Sequence, residues 1–377
     1  MVIKNSRYVI CFILLWFLLA CPAYGATYVY EGGTDNALDT AWEHFLDTLP
    51  EELQKETENI DMQDPEGWHV FLTPSYWLDK LHSLILEKGT MALTQFTSLM
   101  GTLLLLACIR QWNGVSTGTT FAFCGDVCMS LTLFQTAQTV FTLLQTFLEQ
   151  LCRIMTGLLP VMTMISYSTG AVTTAAVERM AMSLFITILS TLQRWLFFPL
   201  GQVLFSVSIL SSVCTQFSFG SFVGGIKKLF MSLFTFMLVV YSFIYGIQNT
   251  LARSADSLGL RTIRFAMGSF IPVVGGTIAE AFSAVREGLG YMRITAGLGG
   301  ILLLLLLVVP VAISVWLLDG MLGFCHTIAE WLGCTGSAHM LADTRSILQL
   351  FSALAWMAAV FFVFALILFT KTAVSAG

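Results

Sequence analysis

The sequence predicts an all-α protein: a polytopic helical membrane protein with a small helical extracytoplasmic segment at its N-terminus. Three observations carry that expectation. Of the 377 residues, 56% are hydrophobic and only 11% are charged, where soluble domains carry about 25% charged residues. Mean hydropathy is +0.80. The apolar residues are also gathered in runs of about 20 or more, the length a helix needs to cross a bilayer. Away from its acidic N-terminal part the chain is near neutral and has no basic face, which excludes nucleic-acid binding.

Charge placement divides the chain into three parts. Residues 26–88 hold 14 acids against 3 Lys and no Arg, a net of −11, whereas residues 89–377 hold 13 bases against 9 acids. Residues 1–25 read as a signal peptide, 26–88 as an acidic extracytoplasmic helical segment, and 89–377 as a polytopic membrane domain. In the first part, Lys4 and Arg7 precede the apolar run "YVICFILLWFLLA", and Ala23 and Gly25 stand at −3 and −1 of a cleavage site before Ala26. Retention as an anchor is the alternative. Leu18 and Ala20 precede Cys21 as in a lipoprotein signal, but Leu19 and the following Pro22 fit that reading poorly.

The acidic segment offers two short amphipathic helices. In "DNALDTAWEHFLDTL", Leu38, Trp42, Phe45 and Leu49 recur at helical spacing, with Asp35 available as a cap and Pro50 ending the run. In "TPSYWLDKLHSLILEKG", Pro74 stands near the N-terminus and Trp77, Leu81, Leu84 and Ile85 share a face. Two such helices bury little core alone, so a partner or the membrane surface is expected to cover them. A solvated acidic spacer is the competing reading.

The membrane domain contains about seven candidate spans: 89–109, 122–147, 154–177, 180–210, 229–251, 294–318 and 346–370. From an outside start, seven crossings put the C-terminus inside. Arg110, Arg179, Arg253, Arg261, Arg264, Arg286, Arg293 and Lys371 then face inward against Arg153, Lys227, Lys228 and Arg345 outward, which obeys the positive-inside rule. Splitting the fourth run at "FPLG" would move five loop arginines outward and worsen that bias.

Within the loop that follows the fifth span, residues 265–285 form a proline- and glycine-broken apolar element. Gly268, Pro272, Gly275 and Gly276 would let it dip into the bilayer as a re-entrant, pore-lining element, with Arg261 and Arg264 as interfacial anchors. The alternative is a pair of interfacial helices kinked at Pro272.

Chemical motifs are sparse. No Gly-rich loop ends in Lys-Ser or Lys-Thr, so nucleotide hydrolysis is not expected. "CGDVC" sets Cys124 and Cys128 one helical turn apart without a nearby His, and Cys325 with Cys334 allows an outer-loop disulfide without requiring it. "HTIAE" places His326 and Glu330 at i and i+4, but the H-E-x-x-H pattern of a metalloprotease is absent. No catalytic residue, metal site or cofactor is predicted. The intramembrane polar residues Asp126 and Arg194 are the stronger lead, since each is costly against lipid. They either pair with each other, face a cavity or a partner chain, or snorkel to water. Glu178 and Arg179 read as an interfacial anchor. Gly297, Gly299 and Gly300 suit close helix packing.

The blocks "LGLRTIRFAMGSFIPVVGGTIAEAFSAV" and "LLPVMTMISYSTGAVTTAAV", with the order of signal, short acidic segment and polytopic body, resemble the stage III sporulation protein AE family. The likeness runs from about Leu49 to the C-terminus and is strongest over 258–285. The acid-rich segment before Leu49 and the abundance of Phe and Cys depart from it. The resemblance implies endospore formation and a place in the mother-cell membrane around the forespore. It implies a channel or feeding-tube complex whose other members come from the stage III A operon and, directly or indirectly, stage II sporulation protein Q. The family carries no established enzyme activity. A noncatalytic subunit of that complex, embedded in the lipid bilayer and open to homo-oligomer formation, is therefore the leading expectation. The alternative is a self-contained secondary transporter with a site at broken helices near Pro160, Pro199 or Pro272, although no internal repeat supports it.

Overall fold

The computed structural model describes residues 34–57, 71, 73–111, 118–168, 172–213 and 275–374, with scattered positions between 224 and 262. Among these residues every regular element is a helix. The signal region, Arg264, Gly268, Pro272 and most of the 229–251 run lie outside the described residues.

Helix α1 (Thr34–Thr48) forms where the apolar spacing predicts it, and Pro50 follows its end. Ala41, Trp42, Phe45 and Leu49 are buried. What covers them is neither a partner nor lipid but the protein's own membrane body, as α1 packs onto α4 (Gly118–Ser168). Gly157 of α4 makes the approach close, because a Cβ there would run into the Thr48 side chain. Helix α2 (Glu51–Thr57) opens with Glu51 and Glu52 at the positive end of its dipole.

Helix α3 (Pro74–Gln111) begins at the expected proline, then continues for 38 residues through the composition break at 88/89. Gly89 is the single weak helix former at that break, and one glycine costs only about 1 kcal/mol against alanine. Leu84 is buried, Trp77 and Leu81 are half-buried and Ile85 is 48% exposed. Glu56 ties α2 to the start of α3, accepting from Tyr76 Oη at 2.5 Å and from Lys80 Nζ. Trp77 Nε1 donates to the Phe71 carbonyl at 2.6 Å.

The sequence predicts an interruption between 147 and 154, yet α4 runs unbroken for 51 residues. Glu149, Gln150 and Arg153 dilute the apolar run, but helical periodicity carries Glu149 and Arg153 to the exposed side while Leu148, Leu151 and Cys152 are buried. Neither glycine nor proline occurs in that interval, and Pro160 is accommodated inside the helix.

Helix α5 (Val172–Leu192) passes through a π turn (Gln193–Phe197) into α6 (Phe198–Val213). Pro199 has no N–H to give, and the chain accommodates it by widening one turn, with the Phe198 amide bonded to the Gln193 carbonyl. No hairpin forms at "FPLG". Helices α7 (Gly275–Trp331) and α8 (Thr335–Val374) make a long antiparallel pair. Its turn rests on Gly333 at φ 71°, the left-handed conformation that closes a helix. The amides of Gly333 and Cys334 bond the carbonyls of Glu330 and Ala329 at 3.0 and 2.9 Å.

Contacts fix how the helices align. Helix α4 runs parallel to α8, with Ser130 beside Met340, Phe141 5.0 Å from Phe351 and Phe147 5.9 Å from Trp356. Helix α5 runs the other way, Phe185 meeting Phe361 and Phe362, and α3 is antiparallel to α4, with Thr102 beside Met129. One end of the bundle therefore collects the α7–α8 turn, Asp126 and the end of α3. The other collects α1, the start of α3, Glu178, Arg293 and the end of α8.

Among the described residues this arrangement differs from the expected one in how the ends of the chain are placed. Seven crossings put the acidic segment and the C-terminus on opposite sides, whereas α1 and the end of α8 share one end. Among the described residues, two expected spans, 122–147 and 154–177, are joined in one helix that runs to Ser168. Among the described residues five helices are long and apolar enough to cross a membrane: Pro74–Ile109, Phe123–Ser168, Val172–Val207, Tyr291–Trp331 and Thr335–Ile367.

Candidate functional site: ion pairs bracketing the apolar layer

Two charged clusters join the long helices. In the first, the Arg293 guanidinium lies 3.3 and 3.4 Å from the carboxylate oxygens of Glu178, and its Nε donates to the Phe369 carbonyl at 2.8 Å. The guanidinium also sits 4.3 Å from the centre of the Phe369 ring. The side chains of Arg293 and Glu178 are 3% and 5% exposed, so this pair couples α5, α7 and α8 out of contact with solvent. The Glu178–Arg179 pair, expected as an interfacial anchor, is thereby divided: Glu178 is buried inside the bundle.

In the second cluster Arg345 grips Asp319 with two parallel bonds, Nε to Oδ1 and Nη2 to Oδ2, each 2.8 Å, and Gln349 Nε2 donates to Oδ1 at 2.8 Å. Planar two-point pairing of this kind fixes orientation as well as distance. A cavity of about 200 Å³ adjoins it, lined by Asp319, Gln349, Trp316, Trp356 and Val140 among others.

Arg293 and Asp319 enclose the uncharged stretch 294–318 on α7, and Arg345 and Lys371 enclose 346–370 on α8. Twenty-six helical steps lead from Arg293 to Asp319, a rise of about 39 Å, which exceeds the roughly 30 Å hydrocarbon core of a bilayer. The two clusters thus stand at the two borders of the apolar layer.

Of the readings open for Asp126 and Arg194, pairing with each other does not occur. Asp126 accepts from Ser337 Oγ at 3.4 Å near the α7–α8 turn. Gln193, beside Arg194, donates to the Gln145 carbonyl at 3.3 Å, so Arg194 stands nineteen residues further along α4, about 28 Å away. Arg194 is exposed on the π turn. Gly297, Gly299 and Gly300 are buried. A Cβ on Gly297 would run into the Thr370 side chain, and one on Gly300 would lie 2.9 Å from Leu158 Cδ2 and 3.2 Å from Leu366 Cδ1. Gly275 and Gly276 open α7, and Arg261 is exposed.

Near the turn, His326 Nε2 approaches Glu330 at 3.7 Å. Cys325 and Cys334 are buried and no disulfide joins them. Among the described residues no three His, Cys, Asp or Glu side chains cluster as metal ligands. Sequence reasoning missed both ion pairs because their partners lie 26 and 115 residues apart. The usable signal was that each charge stands at the edge of an apolar run.

A helical bundle with five membrane-length helices, charges at its borders and glycines at its contacts defines a polytopic integral membrane protein. The family model for stage III sporulation protein AE matches residues 72–372, and the chain belongs to that family. It is similar to the stage III sporulation protein AE of Bacillus subtilis (strain 168), with 24% identity over 208 residues, 55% of this chain and 52% of the relative. The match thus spans about half the length of that curated relative. No solved structure matches the chain.

Proposed function

We propose that the protein is a noncatalytic, multi-pass subunit of a sporulation channel complex linking mother cell and forespore, needed for forespore development after engulfment. The observation that carries this reading is membership of the sporulation family over most of the membrane body. The two ion pairs, one buried and one part-exposed, support a structural rather than catalytic use of the charges, because each carboxylate is already engaged by an arginine. The proposed location is the mother-cell membrane around the forespore, with the acidic segment extracytoplasmic after removal of the signal peptide. Its proposed partners are the other stage III A-operon proteins and, directly or indirectly, stage II sporulation protein Q.

Deletion of the gene in its own spore-forming host, with forespores scored after engulfment, tests this. Complementation uses the wild-type chain and a stably inserted variant carrying Gly268→Leu, Pro272→Ala and Gly275→Leu. Late forespore failure, rescued by wild type but not by the variant, supports the reading and gives the 265–285 element a role. Normal sporulation with lost uptake or efflux of a solute in growing cells overturns it in favour of a self-contained transporter.

A further inference from the structure

Helix α4 is the most connected element of the bundle, touching α1, α3, α5, α6, α7 and α8. It still keeps one side open, and that side has an unusual composition. From Gln135 to Thr156 every exposed position of α4 is polar: Gln135, Gln138, Gln145, Glu149 and Arg153, with three threonines between and after them. These positions fall on one face at the 3.6-residue period. The opposite face, including Ala137, Val140, Leu144, Leu148 and Leu151, is buried.

The polar face lies at the depth of the bilayer. Phe141 and Phe147 pack on Phe351 and Trp356, and Leu158 approaches Gly300, which sets 135–156 alongside the uncharged stretches 346–370 and 294–318. Its length, 21 intervals of helical rise, is about 32 Å, matching a hydrocarbon core of about 30 Å. At the same depth the exposed residues of α7 are Leu298, Leu305 and Trp316, and those of α8 beyond Gln349 are Val360, Phe364 and Ile367. Those faces suit lipid.

Threonines can face lipid by bonding their own helix, as Thr142 and Thr156 do to carbonyls four residues back. Glutamine, glutamate and arginine side chains cannot hide in that way. Gln145 donates to Glu149 at 3.0 Å, which leaves most of the donors and acceptors on this face to be met from outside the described bundle.

We propose that the Gln135–Thr156 face of α4 borders a water-filled passage through the membrane that admits small hydrophilic solutes. One acid and one base a turn apart give the face no net charge, so it selects neither cations nor anions strongly. The inference deepens the transport reading and rests on it for its biological use, but the wetting of α4 is measured without sporulation.

The test is cysteine accessibility in the full-length chain in host membranes, with exposed Cys108, Cys124 and Cys128 replaced by serine and the parent chain as baseline. Gln138→Cys, Gln145→Cys and Arg153→Cys are compared with Leu305→Cys and Val360→Cys, using a membrane-impermeant charged methanethiosulfonate. The thiolate is the reacting species and forms in water, not in lipid. All three α4 positions are expected to label at least tenfold faster than the two controls. Equal rates overturn the proposal. Disulfide-linked dimers at Gln145→Cys on oxidation, without reagent labelling, also overturn it and assign the face to contact between copies. Thr142→Cys and Thr146→Cys, closer in size to the native residues, decide the matter if the larger changes prevent insertion. Labelling of α4 with normal sporulation in the deletion strain would keep the passage and reject the sporulation role.

Discussion

Replacing Glu178 by alanine should destabilise the bundle more than any surface change. The Arg293 side chain is 3% exposed and keeps the Phe369 carbonyl at 2.8 Å and the Phe369 ring at 4.3 Å. Those are a dipole and a quadrupole, and neither replaces a full opposite charge in a low-dielectric interior. Breaking a buried pair by removing one partner costs about 3–5 kcal/mol. With an unfolding entropy of about 2.1 cal/mol/K per residue, a chain of 377 residues shifts by roughly 1.3 °C per kcal/mol, so the midpoint falls by about 4–7 °C. The double change Glu178→Met with Arg293→Met removes both charges and keeps most of the volume, so it should recover most of that loss. The assay is thermal loss of the monodisperse peak of detergent-solubilised protein on size exclusion. An unchanged midpoint in Glu178→Ala, or a double variant no better than the single, would refute the coupling of α5, α7 and α8 through this pair.

Other outcomes follow from the same geometry. Arg345→Ala should cost less than Glu178→Ala, about 1–3 kcal/mol, because Asp319 keeps Gln349 as a donor and its side chain is 27% exposed; the same melting assay ranks the two. Gly297→Val should lower the midpoint by overpacking, about 1–3 kcal/mol, and Thr370→Gly should restore part of it because Thr370 is what the new side chain meets. Reporters of sidedness fused after Pro50 and after Val374 should read the same side of the membrane; opposite readings would reject the shared end of α1 and α8. Gly333→Val should weaken the α7–α8 turn, since a β-branched residue is strained at φ 71°; increased protease nicking near Leu332 is the readout.

Much of this was legible in the residues. Apolar runs and low charge specify a helical membrane protein whatever the contacts, because a backbone in lipid must satisfy its own hydrogen bonds. The spacing of Trp42, Phe45 and Leu49 specified α1, Pro74 the start of α3, and the quoted blocks the family. Hydropathy alone misled at Glu149–Arg153 and Glu178–Arg179. A charge in an apolar run reads as a loop when its surroundings are unknown, and only the third dimension shows whether it is exposed on a continuous helix or neutralised inside the bundle. The polar face of α4 was written in the sequence as a 3.6-residue pattern, yet its meaning depends on which side α5, α7 and α8 leave open.

By itself, then, the sequence determined that the chain is helical, membrane-embedded and a member of a sporulation family, since these depend on composition and local order. The tertiary structure decided which expected spans fuse, which charges meet, which ends of the chain lie together and which helix carries polar groups across the apolar layer. Those facts depend on residues distant in sequence, such as Glu178 and Arg293, becoming neighbours through packing, and no local pattern encodes that.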